Sequence, residues 1–195
     1  DGKLVASPSQ YSKDVYSDKL YYSIYGLENK NHVVKIEVAG SKEAASKSNV
    51  VIFDRVVILG DENNILKPGT YEEDNSGIAY SRGWTSEKHL DYSNGSGKYS
   101  SNIGSSVDFI FEGTGIELYV PTSEGRGIVN VYVDGKLVAS PSQYSSEIQK
   151  DKMYYSISGL ENKNHVVKIE VSGIKDGASK SNIVIFDRIV VLGDE

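Results

Sequence analysis

Apolar and polar residues alternate along much of this chain. Val107, Phe109 and Phe111 are spaced by Asp108 and Ile110, and Ile116, Leu118 and Val120 by Glu117 and Tyr119. Val129, Val131 and Val133 follow with Asn130 and Tyr132 between them, then Val167, Ile169 and Val171 with Lys168 and Glu170. A period of two sends alternate side chains to opposite faces of a strand. Asp134-Gly135, between Val133 and the run Lys136–Ala139, is a two-residue hairpin signal. Ile78–Tyr80 and Met153–Ile157 read as further strands, and Ile183–Leu192 as a last one, apolar on both faces except at Asp187 and Arg188. About eight short strands with little helical periodicity predict an all-β fold, a β-sandwich or jelly roll. The stretch 81–105, rich in Gly, Ser and Asn, reads as one long loop, and loops of that length are often functional.

The pattern also repeats. Residues 1–62 recur at 134–195 with roughly three quarters of the positions identical, including DGKLVASPSQYS and GLENKNHVVKIEV in both copies. The expected organisation is the back half of a preceding repeat at 1–62, a linker at 63–70 marked by Pro68-Gly69, and a complete module at 71–195. The half unit would supply about four strands, whose apolar faces (Val34, Ile36 and Val38; Val51 to Leu59) need a second sheet to cover them. Two explanations stay open: the chain is a slice of a longer tandem array, or another chain completes the half unit. Self-association through 1–62 is therefore expected. Each chain offers two back halves and one front half, so exchange between identical chains leaves some back halves open.

Composition narrows the function classes. A net charge of −6, with no basic stripe, argues against nucleic acid as a partner. Without cysteine there is no disulfide framework, thiolate nucleophile or Cys-ligated zinc site. No apolar run is long enough for membrane insertion, and no secretory leader is visible. A chain opening on Asp1 rather than Met is expected to be a processed or excised piece. The three histidines form no nucleophile–His–acid or HExxH spacing, so an enzyme is not expected, although the chain could be an accessory module of a larger glycoside hydrolase.

The runs YEEDNSGIAYSRGW (71–84), KYSSNIGSSVDFIFEGTGIELYVP (98–121) and RGIVNVYVDGK (126–136) resemble the galactose-binding-like jelly-roll modules. Such modules accompany glycoside hydrolases and surface proteins of Gram-positive bacteria. The resemblance covers 71–192. It implies a non-catalytic, extracellular or cell-surface module that often binds carbohydrate and often holds a structural calcium ion. In modules of this kind an acidic residue near the start of the domain and an Asp in the last strand share the ion. Glu72 or Glu73 matches the first and Asp187 the second; Asp54 would be the counterpart of Asp187 in 1–62. The residues themselves leave three choices for Asp187, which shares an apolar strand face with Ile185 and Ile189. It can ligate a cation, pair with Arg188 or another arginine, or be satisfied by plain hydrogen bonds.

Sugars are bound by flat aromatic faces flanked by groups that read hydroxyls. The ligand-binding candidates are Tyr80, Arg82, Tyr92 and Tyr99 on and around the long loop, with Glu124 and Arg126 from the 121–127 loop. His89 is a further candidate. Trp84 is expected to plug the core, whereas Tyr92 and Tyr99 sit among Ser, Gly and Asn and are expected to be exposed. The expected function is a non-catalytic extracellular binding or adhesion module for carbohydrate. The alternative is a structural repeat of a self-associating surface stalk or filament.

Overall fold

A computed structural model describes residues 1–13, 21, 22, 24, 27, 32–53, 56 and 64–194. Asp54 lies outside the described residues. Three sheets make up 64–194. The first contains β1 (Ile65–Leu66), β3 (Ile78–Tyr80), β6 (Ser106–Gly113), β8 (Gly127–Val133), β9 (Lys136–Ala139) and β11 (Lys163–Lys175). Its order is β1-β6-β11-β8-β9, with β3 also paired to β6. The second contains β2 (Gly69–Glu72), β7 (Gly115–Thr122), β10 (Gln149–Ile157) and β13 (Arg188–Leu192), in the order β10-β7-β13-β2. The third is small: β12 (Val184–Phe186), β5 (Ser96–Ser100) and β4 (Thr85–Lys88), in that order. The β1–β6 pair is parallel.

The alternating positions are the core. Phe109 and Phe111 of β6, Val131 of β8 and Ile169 of β11 are buried in one cluster with Ile116 and Leu118 of β7 and Ile189 of β13. These residues come from the first and second sheets, so the two sheets face each other across one core, as in a β-sandwich. Each such side chain contributes about 1.5–3 kcal/mol when fully buried. The hairpin also forms: Asp134 and Gly135 have φ of 51° and 76°, the left-handed pair that a tight β8–β9 turn requires. Asp134 further clasps the start of β11. Its carboxylate accepts from Val166 N at 3.0 Å and lies 2.8 Å from His165 Nδ1, while His165 Nε2 meets the Glu161 carbonyl at 2.8 Å. His165 is a structural histidine, as its place at the head of a strand suggests.

The fold departs from the expected elements in three places. The run 183–192 is not one strand. It changes sheet at Asp187, β12 pairing with β5 and β13 with β7 and β2, and so it is apolar on both faces. The stretch 81–105 is not one loop, because β4 and β5 form a hairpin inside it. No alternation marks this hairpin: β4 is exposed at every position, and β5 buries Gly97 and Ser100 in place of large apolar residues. Within 63–70 lie β1 and the start of β2, and Leu66 is part of the core.

Trp84 packs against the core and edge-on to Tyr80 at 5.7 Å, but it is only half-buried. Trp84→Ala is expected to destabilise the 64–194 unit by about 2 kcal/mol, below the cost of truncating a fully buried Trp. Urea unfolding would measure this, and an unchanged midpoint would contradict it. Among the described residues of 1–56, none lies in a strand, and none of the described residues belongs to a helix able to cross a membrane.

Candidate functional site

Antiparallel pairing of β13 with β2 sets Arg188 opposite Glu72, so the preceding Asp187 reaches the next residue along, Glu73. Carboxylate oxygens of Glu72, Glu73 and Asp187 lie within 4.8 Å of one another, and Glu73 and Asp187 are buried. Arg188 does not neutralise them. Its guanidinium pairs with Asp151 at 2.5 Å and stacks over Tyr119 at 4.0 Å. Hydrogen-bond donors reach the cluster from 93–96 instead. Ser93 N donates to Asp187 at 3.2 Å, Ser93 Oγ lies against both Glu72 and Asp187, and Ser96 Oγ donates to Glu73 Oε1 at 2.7 Å. Glu73 Oε2 is buried with no hydrogen-bond partner. Burial raises the Asp187 carboxyl to about 7; the Ser93 bonds oppose the rise, and Glu72 and Glu73 add to it. Three clustered carboxylates with an orphaned buried oxygen form an all-oxygen donor set that can hold a hard cation.

The cluster grips the turn that carries a second feature. His89 N donates to the Gly95 carbonyl, and Tyr92 and Gly95 close shorter turns, so 89–95 is a compact loop held at Ser93. Next to Ser93, Tyr92 turns inward. It is 5 % exposed, packs with Val120 and Ile185, and donates its hydroxyl to Glu87 at 2.7 Å. Gly97 makes this possible, because a Cβ there would lie 2.5 Å from the Tyr92 ring.

Above Tyr92 lies a cleft of about 260 Å³ walled by Glu87, His89, Asp91, Thr122, Arg126 and Ile148, among others. The Lys150 ammonium, 2.8 Å from Asp91, holds that carboxyl below the usual carboxylate range. Burial lowers the Arg126 guanidinium, with Tyr92, Glu87 and Asp91 acting the other way. Arg126 Nε reaches only the Pro121 carbonyl at 3.4 Å, and Thr122 Oγ1 is buried without a partner. The 121–127 loop is pinned from behind, since Ser179 Oγ bonds the carbonyls of Glu124 and Arg126. A second hollow of about 370 Å³ adjoins across Ser123 and Ile148 and includes Glu124, which pairs with Lys180.

The candidate ligand residues therefore divide. Tyr92, Glu124 and Arg126 come together at the two hollows, although Tyr92 is a buried wall and not the exposed platform expected. Tyr80 lies elsewhere, between Trp84 and Phe186, and donates to the Glu73 carbonyl at 2.7 Å. Burial, with Glu73 and Asp74 nearby, holds its phenol well above the usual range. Tyr99 is half-buried in the third sheet opposite Ile185 and Thr85. Arg82 is exposed, and its carbonyl accepts from Ser105 Oγ at 2.8 Å. Glu87 and Asp91 escaped the sequence reading because they belong to the unrecognised β4–β5 hairpin.

No protein-family model matches the chain. Two curated relatives from Flavonifractor plautii do. An A type blood N-acetyl-α-D-galactosamine deacetylase is 25% identical over 169 residues, covering 85% of this chain and 20% of its own length. An A type blood α-D-galactosamine galactosaminidase is 22% identical over 172 residues, covering 87% of this chain and 15% of its own length. The chain thus spans a fifth or less of each relative. A Paenibacillus xanthan lyase superposes with a TM-score of 0.50 at 20% identity, over 67% of this chain and 14% of that one, a likeness of fold. The chain is an all-β module similar to segments of carbohydrate-active enzymes.

Proposed function

We propose that 64–194 is a jelly-roll module that binds carbohydrate without catalysis, holds a structural calcium ion, and serves outside the cell as an accessory part of a larger glycan-active protein. The cleft over Tyr92 carries this reading. A half-buried guanidinium whose Nε makes a single long bond, two carboxylates and an unpartnered hydroxyl converge on a concave surface between two pinned loops, the kind of polar set that reads sugar hydroxyls. The short share of each relative that aligns fits an appended module. Calcium suits the Glu72, Glu73 and Asp187 oxygens and would fix Ser93, and with it the loop presenting His89, Asp91 and Tyr92 to the cleft.

A glycan microarray tests the binding. Terminal galactosamine and N-acetylgalactosamine are the first probes, because the two relatives act on them. Arg126→Ala and Asp91→Asn should each weaken binding about tenfold or more, the worth of a charged hydrogen bond, with melting temperature little changed for Asp91→Asn. A wild-type protein that binds no glycan in calcium would sink the proposal.

The same cluster predicts a pH dependence. In metal-free protein Asp187 titrates near 7, above the ordinary carboxylate value, so the folded state binds more protons than the unfolded one between about 4 and 7. Its contribution to stability is therefore present at low pH and lost as pH rises toward 7. The melting-temperature difference between wild type and Asp187→Asn, measured in chelator, should move against the wild type across that window. Bound calcium competes with the proton and should reverse the trend. A difference independent of pH would show that Asp187 is ionised throughout.

A further inference from the structure

The described part of 1–53 contains the same two clasps that organise 134–195. Asp1 N donates to the Val33 carbonyl at 2.7 Å, its carboxylate accepts from Val33 N at 3.0 Å, and it lies 2.8 Å from His32 Nδ1. The Asp134 values with Val166 and His165 are 2.8, 3.0 and 2.8 Å. Gln10 brackets the backbone of Ile52, accepting from its N–H at 2.8 Å and donating to its carbonyl at 2.7 Å. Gln143 does the same to Ile185 at 2.7 and 2.8 Å. Both clasps of 134–195 thus recur in 1–53, where no described residue lies in a strand.

What differs is cover. Val167, Ile169, Val184 and Phe186 are at most 2 % exposed, whereas their counterparts Val34, Ile36, Val51 and Phe53 are 75, 57, 42 and 58 % exposed. The buried set is flanked by β6 and β8, which pair with β11, and by β5, which pairs with β12, while Ile116 and Leu118 of β7 pack into the same core from the facing sheet. All four strands belong to 64–133.

We infer that 1–53 is a docking face for a second front half, a polypeptide segment with the strand pattern of 64–133 that supplies its own β5, β6, β7 and β8. A second copy of the chain does not meet the need. Its front half already covers its own 134–195, and moving it to 1–53 would uncover as much apolar surface as it covers, at an added cost in translational freedom. The occupant is a front half with no back half of its own, and bound there it makes 1–53 part of a second β unit.

The test is hydrogen exchange on the chain extended ahead of Asp1 by a copy of residues 64–133. The peptide Ile36–Phe53 is distinguishable by sequence from its counterpart Ile169–Phe186. Its exchange should slow about a hundredfold or more on extension, approaching that of the counterpart. Gln10→Ala should undo much of that protection and leave Ile169–Phe186 unaffected. In a second experiment the separate polypeptide 64–133 is coexpressed with the unextended chain. A one-to-one complex is expected, lost in a chain carrying Val34→Asp and Ile36→Asp. Unchanged fast exchange in the extended chain would overturn the inference. So would a dimer of the unextended chain that protects Ile36–Phe53 unaided, which would assign the face to a second copy. The exchange of Ile36–Phe53 is read without any glycan, so this inference stands or falls independently of binding at the cleft.

Discussion

Calcium added to the metal-free protein should raise the melting temperature of the 64–194 unit by roughly ten degrees. A ligand that binds only the folded state at a hundred times its dissociation constant adds about 2.7 kcal/mol. In a unit of this size each kcal/mol moves the midpoint by about three to five degrees. Asp187→Asn should abolish the response, because it removes the most buried of the three carboxylates. At pH 8 without metal, the same substitution should leave the midpoint equal or higher, since it relieves repulsion with Glu72 and Glu73 and keeps an oxygen for Ser93 N. Superimposable melting curves with and without calcium would remove the ion from the account.

Gln143→Ala should be among the costliest single substitutions, at about 3 kcal/mol. Gln143 is fully buried, and its amide satisfies both the N–H and the carbonyl of Ile185 beside the point where the chain changes sheet. Truncation orphans two buried backbone groups, each costing about 1–3 kcal/mol. Gln10→Ala removes the same pair of bonds at exposed Ile52 and should shift the unfolding midpoint of 64–194 by less than about 0.5 kcal/mol. Denaturant unfolding of the two variants measures the contrast, and equal costs would mean that the clasp is not what stabilises the back half.

Strand pattern made most of the core legible. Where one face of a strand meets the core and the other meets water, as in β6, β7, β8 and β11, burial follows the alternation of letters. Asp187 was legible as a carboxylate inside the apolar run 183–192 that needs a cation or donors, whereas Glu72 and Glu73 were pointed to only by the resemblance to galactose-binding-like modules; the structure brings the three together. The change of sheet at Asp187 was not legible, because a run buried on both faces carries no period to show where pairing changes. Nor was the β4–β5 hairpin, whose buried residues are Gly97 and Ser100. That omission misplaced Tyr92, since its burial depends on a glycine two strand positions from any apolar cue, and it hid Glu87 and Asp91 from the site. Gln143 left only one trace, its recurrence as Gln10 within ASPSQYS in both copies. Long-range clasps of this kind depend on where two distant segments meet, which no local pattern records.

Amide NMR shifts of the full chain during titration with the best-bound glycan, in calcium, test the proposed placement of binding at the cleft. Changes are expected to concentrate at Glu87–Tyr92 and Thr122–Arg126, to saturate together with one affinity, and to be absent in Arg126→Ala. Changes centred on Arg82 and Tyr99, or no changes with any glycan, would contradict it.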